Sequence, residues 1–160
     1  MRIAFLTSCL EPGKDGVGDY ARGLAAACVQ SGCACTLVAL NDSRVDRLVT
    51  EVQVDRGVPL NTLRFPASSR WSERLPVAQD WLHQHGADWL SLQFVPYGFH
   101  PKGVVAGLGS KLVGLGERRR WHVMFHEVWL GTHEGSPVRR VIGWAQRRAI
   151  MSRRLSPSRS

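Results

Sequence analysis

The chain has 160 residues, 44% of them hydrophobic and 21% charged, which is typical of one globular domain and too short for two. No apolar run approaches the roughly 20 residues that span a bilayer. The segment "IAFLTSCL" lacks the second basic residue and the small-residue cleavage site of a secretory signal peptide, so we expect a cytoplasmic protein.

The net charge is +8, and its excess lies late in the chain, where residues 139–160 hold seven arginines and no acidic residue. We expect a domain over 1–150 and a basic, disordered tail over 151–160. Nucleic acid is disfavoured as a partner because aromatic residues do not alternate with these arginines. Peripheral contact of residues 139–154 with the inner face of an anionic membrane stays open.

The first elements predict a strand, a helix and a second strand. Residues 2–7, "RIAFLT", form an apolar run that is typical of a buried strand. The segment "DYARGLAAACVQSG" predicts a helix that Asp19 caps and that Gly32 ends. Its expected inner face consists of Tyr20, Leu24, Ala27 and Cys28. The segment "CACTLVALND" then predicts a buried strand.

The middle of the chain, residues 43–66, has one strand candidate, "NTLRF", bounded by Pro59 and Pro66. Residues 71–86 predict a helix that is entered near Pro76. Its expected inner face consists of Val77, Trp81 and Leu82.

The remaining pattern alternates between strands and helices. The segment "ADWLSLQFV" predicts a strand that Pro96 ends, and "WHVMFHEVW" predicts another. Helices are expected over 104–115 and 137–154. This order predicts an α/β fold, a single Rossmann-like, doubly wound sheet of about five mainly parallel strands with helices on both faces.

Ligands of such folds bind at the carboxyl ends of the strands. The loop "EPGKDGVGDYARGLA", the segment "QFVPYGFH" and the segment "FHEVW" should therefore lie on one rim. Exposed N–H groups at the start of the helix after Gly16 and Gly18 suit an anionic or polyhydroxylated ligand, and Lys14 could add a positive charge. The alternative is a plain loop whose glycines serve turn geometry.

A dinucleotide site is a second alternative, because "GVGDYA" fits the pattern G-x-G-x-x-G/A. Its context does not fit, since about eight residues separate Thr7 from Gly16, whereas a dinucleotide fold places the first glycine directly after the strand. Asp42 could still take the place of the ribose-binding acid after the second strand.

His126 and Glu127 follow an apolar strand on the same rim. They could supply a hydrogen bond to a sugar hydroxyl and a carboxylate for general-base catalysis, provided that the strand ends before them. The alternative is a structural histidine. The cysteines and histidines lack the spacing of a metal site, so neither a metal nor a cofactor is expected. We interpret Cys9, Cys28, Cys33 and Cys35 as free thiols.

The segments "MRIAFLT", "GVGDYARGLA", "SLQFVPYGF" and "VMFHEVW", taken together, resemble the N-terminal domain of GT-B glycosyltransferases of family 4. The resemblance implies a retaining transfer of sugar from a nucleotide-sugar to a glycan or a lipid-linked acceptor. It implies that His126 touches the transferred sugar, and with the carboxylate of Glu127 as a general base we expect both residues to be catalytic. The substrate-binding residues that it implies are Gly16, Gly18, Asp19, Tyr20, Gln93 and Tyr97.

The chain also departs from that family. The family binds its donor through a C-terminal domain with a Glu-x7-Glu motif, whereas Glu127 and Glu134 are one residue too close. The sequence therefore resembles a truncated enzyme, expected to be inactive without the donor-binding domain. A non-catalytic, stand-alone Rossmann-like module that binds a dinucleotide or a protein partner is the alternative function.

Overall fold

The computed structural model describes residues 1–105, 107–116 and 118–127. The elements in this part of the chain are β1 (Arg2–Thr7), α1 (Gly16–Gln30), β2 (Ala34–Asp42), β3 (Val49–Asp55), β4 (Val58–Pro66), α2 (Trp71–Gln84), β5 (Trp89–Phe94), α3 (Pro96–Phe99), α4 (Leu108–Gly116) and β6 (Arg120–Phe125). The strands form one sheet in the order β3-β4-β2-β1-β5-β6. Only the β3–β4 pair among these is antiparallel. The predicted α/β fold with a mainly parallel sheet is confirmed.

Both faces of the central strands are covered. On β1, Ile3 and Phe5 pack with α1 on one face, whereas Ala4 and Leu6 pack with α2 and α4 on the other. Because neighbouring side chains of a strand point to opposite faces, a strand covered on both faces is apolar throughout. This explains why "RIAFLT" has no alternation of apolar and polar residues.

Helix α1 differs from the prediction in its cap and in its buried face. The carboxylate of Asp15, not of Asp19, caps the helix by accepting a hydrogen bond from Gly18 N at 2.7 Å. Its buried residues include Ala21 and Ala25, whereas Tyr20 is 44% exposed. Leu24 and Cys28 of the predicted face are partly buried and pack against the core, so the prediction was wrong for Tyr20 and omitted the alanines. Small side chains let the helix approach the sheet closely. Gly32 follows the helix with φ of 86°, as predicted.

Strand β3 was not predicted from the sequence. It pairs with β4 as a hairpin, and the two residues between them, Arg56 and Gly57, both have positive φ, 49° and 75°. Two such residues form a tight turn of the kind that joins antiparallel strands. The alternating β-branched residues of "VTEVQVD" were the signal that could have identified the strand.

Helix α2 begins at Trp71, so Pro76 lies inside it rather than at its entry. The Glu73 carboxylate accepts a hydrogen bond from Arg70 N at 3.1 Å and thereby fixes the earlier start. The predicted inner residue Val77 is 38% exposed, and the buried positions of this helix are Arg74, Ala78 and Leu82.

The helix predicted over 137–154, the tail predicted over 151–160 and the last residues of "WHVMFHEVW" lie outside the described residues. Within the described part, no helix has the length and apolar character needed to cross a membrane.

Candidate functional site

A cleft of about 880 Å³ lies at the carboxyl ends of the central strands. Strand β1 is the switch point of the sheet, because the chain continues from it to β2 on one side and returns to β5 on the other. The cleft is lined by the loop after β1, the start of α1, the end of β2, α3 and the residues that follow β6. The predicted common rim of these segments is therefore present.

His126 is held in this cleft from three sides. Its backbone N–H donates to Phe94 O at 3.0 Å and extends the pairing of β5 with β6 by one residue. Its Nε2 lies 3.0 Å from Oε1 of Gln93, and the ring of Tyr20 meets the imidazole edge-on with centroids 4.9 Å apart. Strand β6 ends at Phe125, so His126 and Glu127 both reach the cleft, which was the condition for their joint action.

The predicted site residues fall into two groups. One group lines the cleft and consists of Gly16, Tyr20, Tyr97, His126 and Glu127. The other group, Gly18, Asp19 and Gln93, lies behind this lining. Gln93 is completely buried, so it reaches the cleft only through His126.

Gly18 and Asp19 shape the loop between β1 and α1. A Cβ atom on Gly18 would lie 2.4 Å from the carbonyl oxygen of Cys9, so α1 can approach the loop this closely only with glycine at that position. The Asp19 carboxylate accepts a hydrogen bond from Gly13 N at 3.0 Å and binds the Arg22 guanidinium. These two residues therefore determine where the N-terminus of α1 points.

Alanine substitutions at Gly18 and Gly16 should have very different effects on the free energy of unfolding. Gly18→Ala forces the Cys9 carbonyl away and should lower the free energy of unfolding by about 1–3 kcal/mol. Gly16→Ala is the matched control, because no atom lies within 4 Å of its added Cβ, and it should be neutral or slightly stabilising. Urea unfolding of the two variants tests this, and equal stabilities would contradict the close approach.

Some cleft residues were not identified from the sequence. Ser8 is 1% exposed, lines the cleft, and its hydroxyl has no hydrogen-bond partner among the described residues. Asn41 Nδ2 donates to Gly98 O at 2.8 Å and ties α3 to the end of β2. Arg44 adds a positive charge at the rim. Ser8 directly follows a buried strand, and that position was the signal that could have identified it.

Cys9 lines the cleft, but its thiol is not activated as a nucleophile. Burial raises the pKa of its thiol to about 12, and its Sγ donates to Oδ1 of Asp42 at 3.2 Å. A protonated thiol is a poor nucleophile. All four cysteines are free thiols, as interpreted from the sequence. In the described ranges, no group of three or more His, Cys, Asp or Glu side chains could hold a metal ion.

Asp42 does not take the place of a ribose-binding acid. It is completely buried, and Arg64 Nε donates to its Oδ2 at 2.8 Å, while the N–H groups of Leu10 and Arg44 donate at 3.1 and 2.9 Å. Burial by itself raises the pKa of this carboxyl, but these hydrogen bonds outweigh burial and hold the pKa below its usual value. The Asp42 carboxylate is therefore not available to bind a ribose, which removes the main support for a dinucleotide site.

Comparisons of the chain with protein families, with curated proteins and with solved structures gave no match.

Proposed function

We propose that this chain is the N-terminal, acceptor-side half of a retaining glycosyltransferase, which transfers a sugar from a nucleotide-sugar to a glycan or a lipid-linked acceptor. The observation that carries the proposal is the cleft, where His126, Glu127 and the start of α1 meet. An imidazole, a carboxylate and the N-terminus of a helix are suited to ligands rich in hydroxyl and phosphate groups.

In this proposal His126 and Glu127 act on the sugar. The imidazole of His126 is fixed by Gln93 and Tyr20, so it can hold one hydroxyl of the transferred sugar without reorganising. Glu127 is exposed beside it and offers a carboxylate to the acceptor. Tyr97, on α3, also lines the cleft and can contact the acceptor.

The lining of the cleft comes from the carboxyl edge of one sheet, so the site as described has one wall. Transfer of a sugar requires donor and acceptor to be held together where water is excluded. We therefore expect the isolated 160-residue chain to transfer no sugar. Incubation with labelled nucleotide-sugars and candidate acceptors checks this, and turnover by the pure chain would contradict it.

The positive test joins the chain to a donor-binding domain with a Glu-x7-Glu motif. The fusion should transfer sugar, while the same donor domain alone should not. If the fusion binds the nucleotide-sugar but transfers nothing to any glycan or lipid-linked acceptor, the proposal is wrong and a stand-alone binding module is favoured.

We also propose a cytoplasmic location, peripheral to the inner face of the membrane. A lipid-linked acceptor would place the enzyme there, and basic residues bind anionic lipid headgroups. The arginines of residues 139–154 on which this rests lie outside the described part of the chain. Sedimentation with anionic vesicles should weaken as salt is raised, and binding that is insensitive to salt would contradict an electrostatic attachment.

A further inference from the structure

A row of four polar side chains runs along β5 and β6 and ends in the cleft. His122 Nδ1 lies 2.9 Å from Ser91 Oγ, Ser91 Oγ lies 2.8 Å from Gln93 Nε2, and Gln93 Oε1 lies 3.0 Å from His126 Nε2. Ser91 is 4% exposed and Gln93 is completely buried. Buried polar groups of this kind depend on one another for their hydrogen bonds, so the row acts as one network.

The amide of Gln93 sets the direction of this network. Its nitrogen only donates and its oxygen only accepts. Because the nitrogen faces Ser91 and the oxygen faces His126, the Nε2 of His126 has to be the donor. A neutral imidazole carries one proton, so Nδ1 of His126 then keeps its lone pair.

The other contacts of His126 leave Nδ1 for a ligand. Tyr20 packs against the ring, and the backbone N–H of His126 is bonded to Phe94 O. Among the residues that the structure describes, none forms a hydrogen bond with Nδ1. His126 lines the cleft, so an unprotonated Nδ1 can accept a hydrogen bond from a hydroxyl group bound there.

We propose that Gln93 and Ser91 are positioning residues that hold His126 with its proton on Nε2, so that Nδ1 accepts a hydrogen bond from a hydroxyl of the ligand. Gln93 acts through His126 and does not contact the ligand, in contrast to the substrate-binding role expected from the sequence. This inference goes beyond the proposed function, because it concerns the state of the ring and applies to any hydroxyl-bearing ligand.

The test measures the ¹⁵N shifts of the His126 ring in the whole chain, labelled at histidine, by NMR at about pH 8.5, where an ordinary histidine is neutral. A protonated and an unprotonated ring nitrogen have well separated shifts, so the shifts report the tautomer ratio. A His126→Asn variant assigns the resonances by their loss. The variants to compare are Ser91→Ala and Gln93→Leu, and Ser31→Ala, at the exposed end of α1, is the matched control.

We expect wild type and Ser31→Ala to carry the proton on Nε2, with slow exchange of that proton. Ser91→Ala does not alter His126 itself, but it lets the Gln93 side-chain amide flip by 180° because its Nε2 no longer has Ser91 Oγ as a partner. Gln93→Leu removes Oε1, the acceptor for His126 Nε2. Both should lower the ratio of the Nε2–H to the Nδ1–H tautomer by about fivefold, the size that one neutral hydrogen bond gives.

Two results would overturn the inference. The first is a wild-type ring with its proton on Nδ1, which would mean that the Gln93 amide faces the other way. The second is a Ser91→Ala chain whose tautomer ratio and proton exchange match those of wild type. Wild type and Ser91→Ala decide the question even if Gln93→Leu fails to fold. Because no sugar is transferred in these measurements, their outcome is independent of the transfer assay.

Discussion

Replacing Arg64 by methionine should lower the free energy of unfolding by about 3–5 kcal/mol. The Arg64 side chain is 6% exposed and bonds three carboxylates, those of Asp42, Glu11 and Glu51. Methionine fills a similar volume but leaves Asp42 completely buried without its cation. An uncompensated buried charge is much more costly than the loss of an exposed ion pair, which is why we expect so large an effect.

Urea unfolding at neutral pH measures this loss, and Arg2→Met is the matched control. Arg2 forms an ion pair with Asp88 at 2.7 Å, but the two side chains are 56% and 49% exposed. The control should therefore change the stability little. Equal losses of unfolding free energy in Arg64→Met and Arg2→Met would contradict the stabilising role of the buried ion pair between Arg64 and Asp42.

The cost of Arg64→Met should also depend on pH. In the wild type, the pKa of Asp42 is lowered, so its contribution to stability is present above the pKa of an unfolded aspartate, about 3.9, and is lost as the pH falls further. In the variant, burial without Arg64 should raise this pKa, so the carboxyl is destabilising at neutral pH and harmless once it is protonated. The difference in stability between the two proteins should thus shrink from pH 7 towards about pH 4. A constant difference would mean that Asp42 is not the group involved.

Replacing His126 by alanine in the fused, two-domain enzyme should lower kcat by about 10²-fold or more, the effect of losing one preorganised hydrogen bond to the transition state. A retaining transfer develops charge on the transferred sugar, so a correctly aimed group at the cleft helps the transition state more than the ground state. The same variant should lose about 1 kcal/mol of stability, because Oε1 of the buried Gln93 loses its partner.

The control for this variant is His85→Ala. His85 is also half-buried, and its Nδ1 lies 2.9 Å from Trp81 O at the end of α2, outside the cleft lining. Its kcat should match that of the parent enzyme. A His126→Ala enzyme that is less stable but keeps a normal kcat in its folded fraction would show that His126 is structural. That outcome would leave the proposed transfer reaction standing, since the parent fusion tests it separately.

The sequence by itself predicted the central strands and the rim that they share. Apolar runs such as "RIAFLT" and "CACTLVALND" are what a strand needs when both of its faces are covered, and Pro96 follows β5 as a local stop. The order of strands and helices then implied a mainly parallel sheet, whose carboxyl ends meet at one edge. These inferences succeeded because each depends on neighbouring residues in the chain. The catalytic assignment of His126 remains a prediction.

Only the tertiary structure decided which side chains face one another across the fold. Arg64 and Asp42 are 22 residues apart, and Gln93 and His126 are 33 apart, so no local pattern indicates that they pair. Likewise, α1 buries Ala21, Ala25 and Ala26 against the sheet and leaves Tyr20 exposed, because small side chains allow close packing. Burial and pairing are properties of positions in space, and for that reason only the assembled sheet showed that Gln93 is buried and bonded to His126.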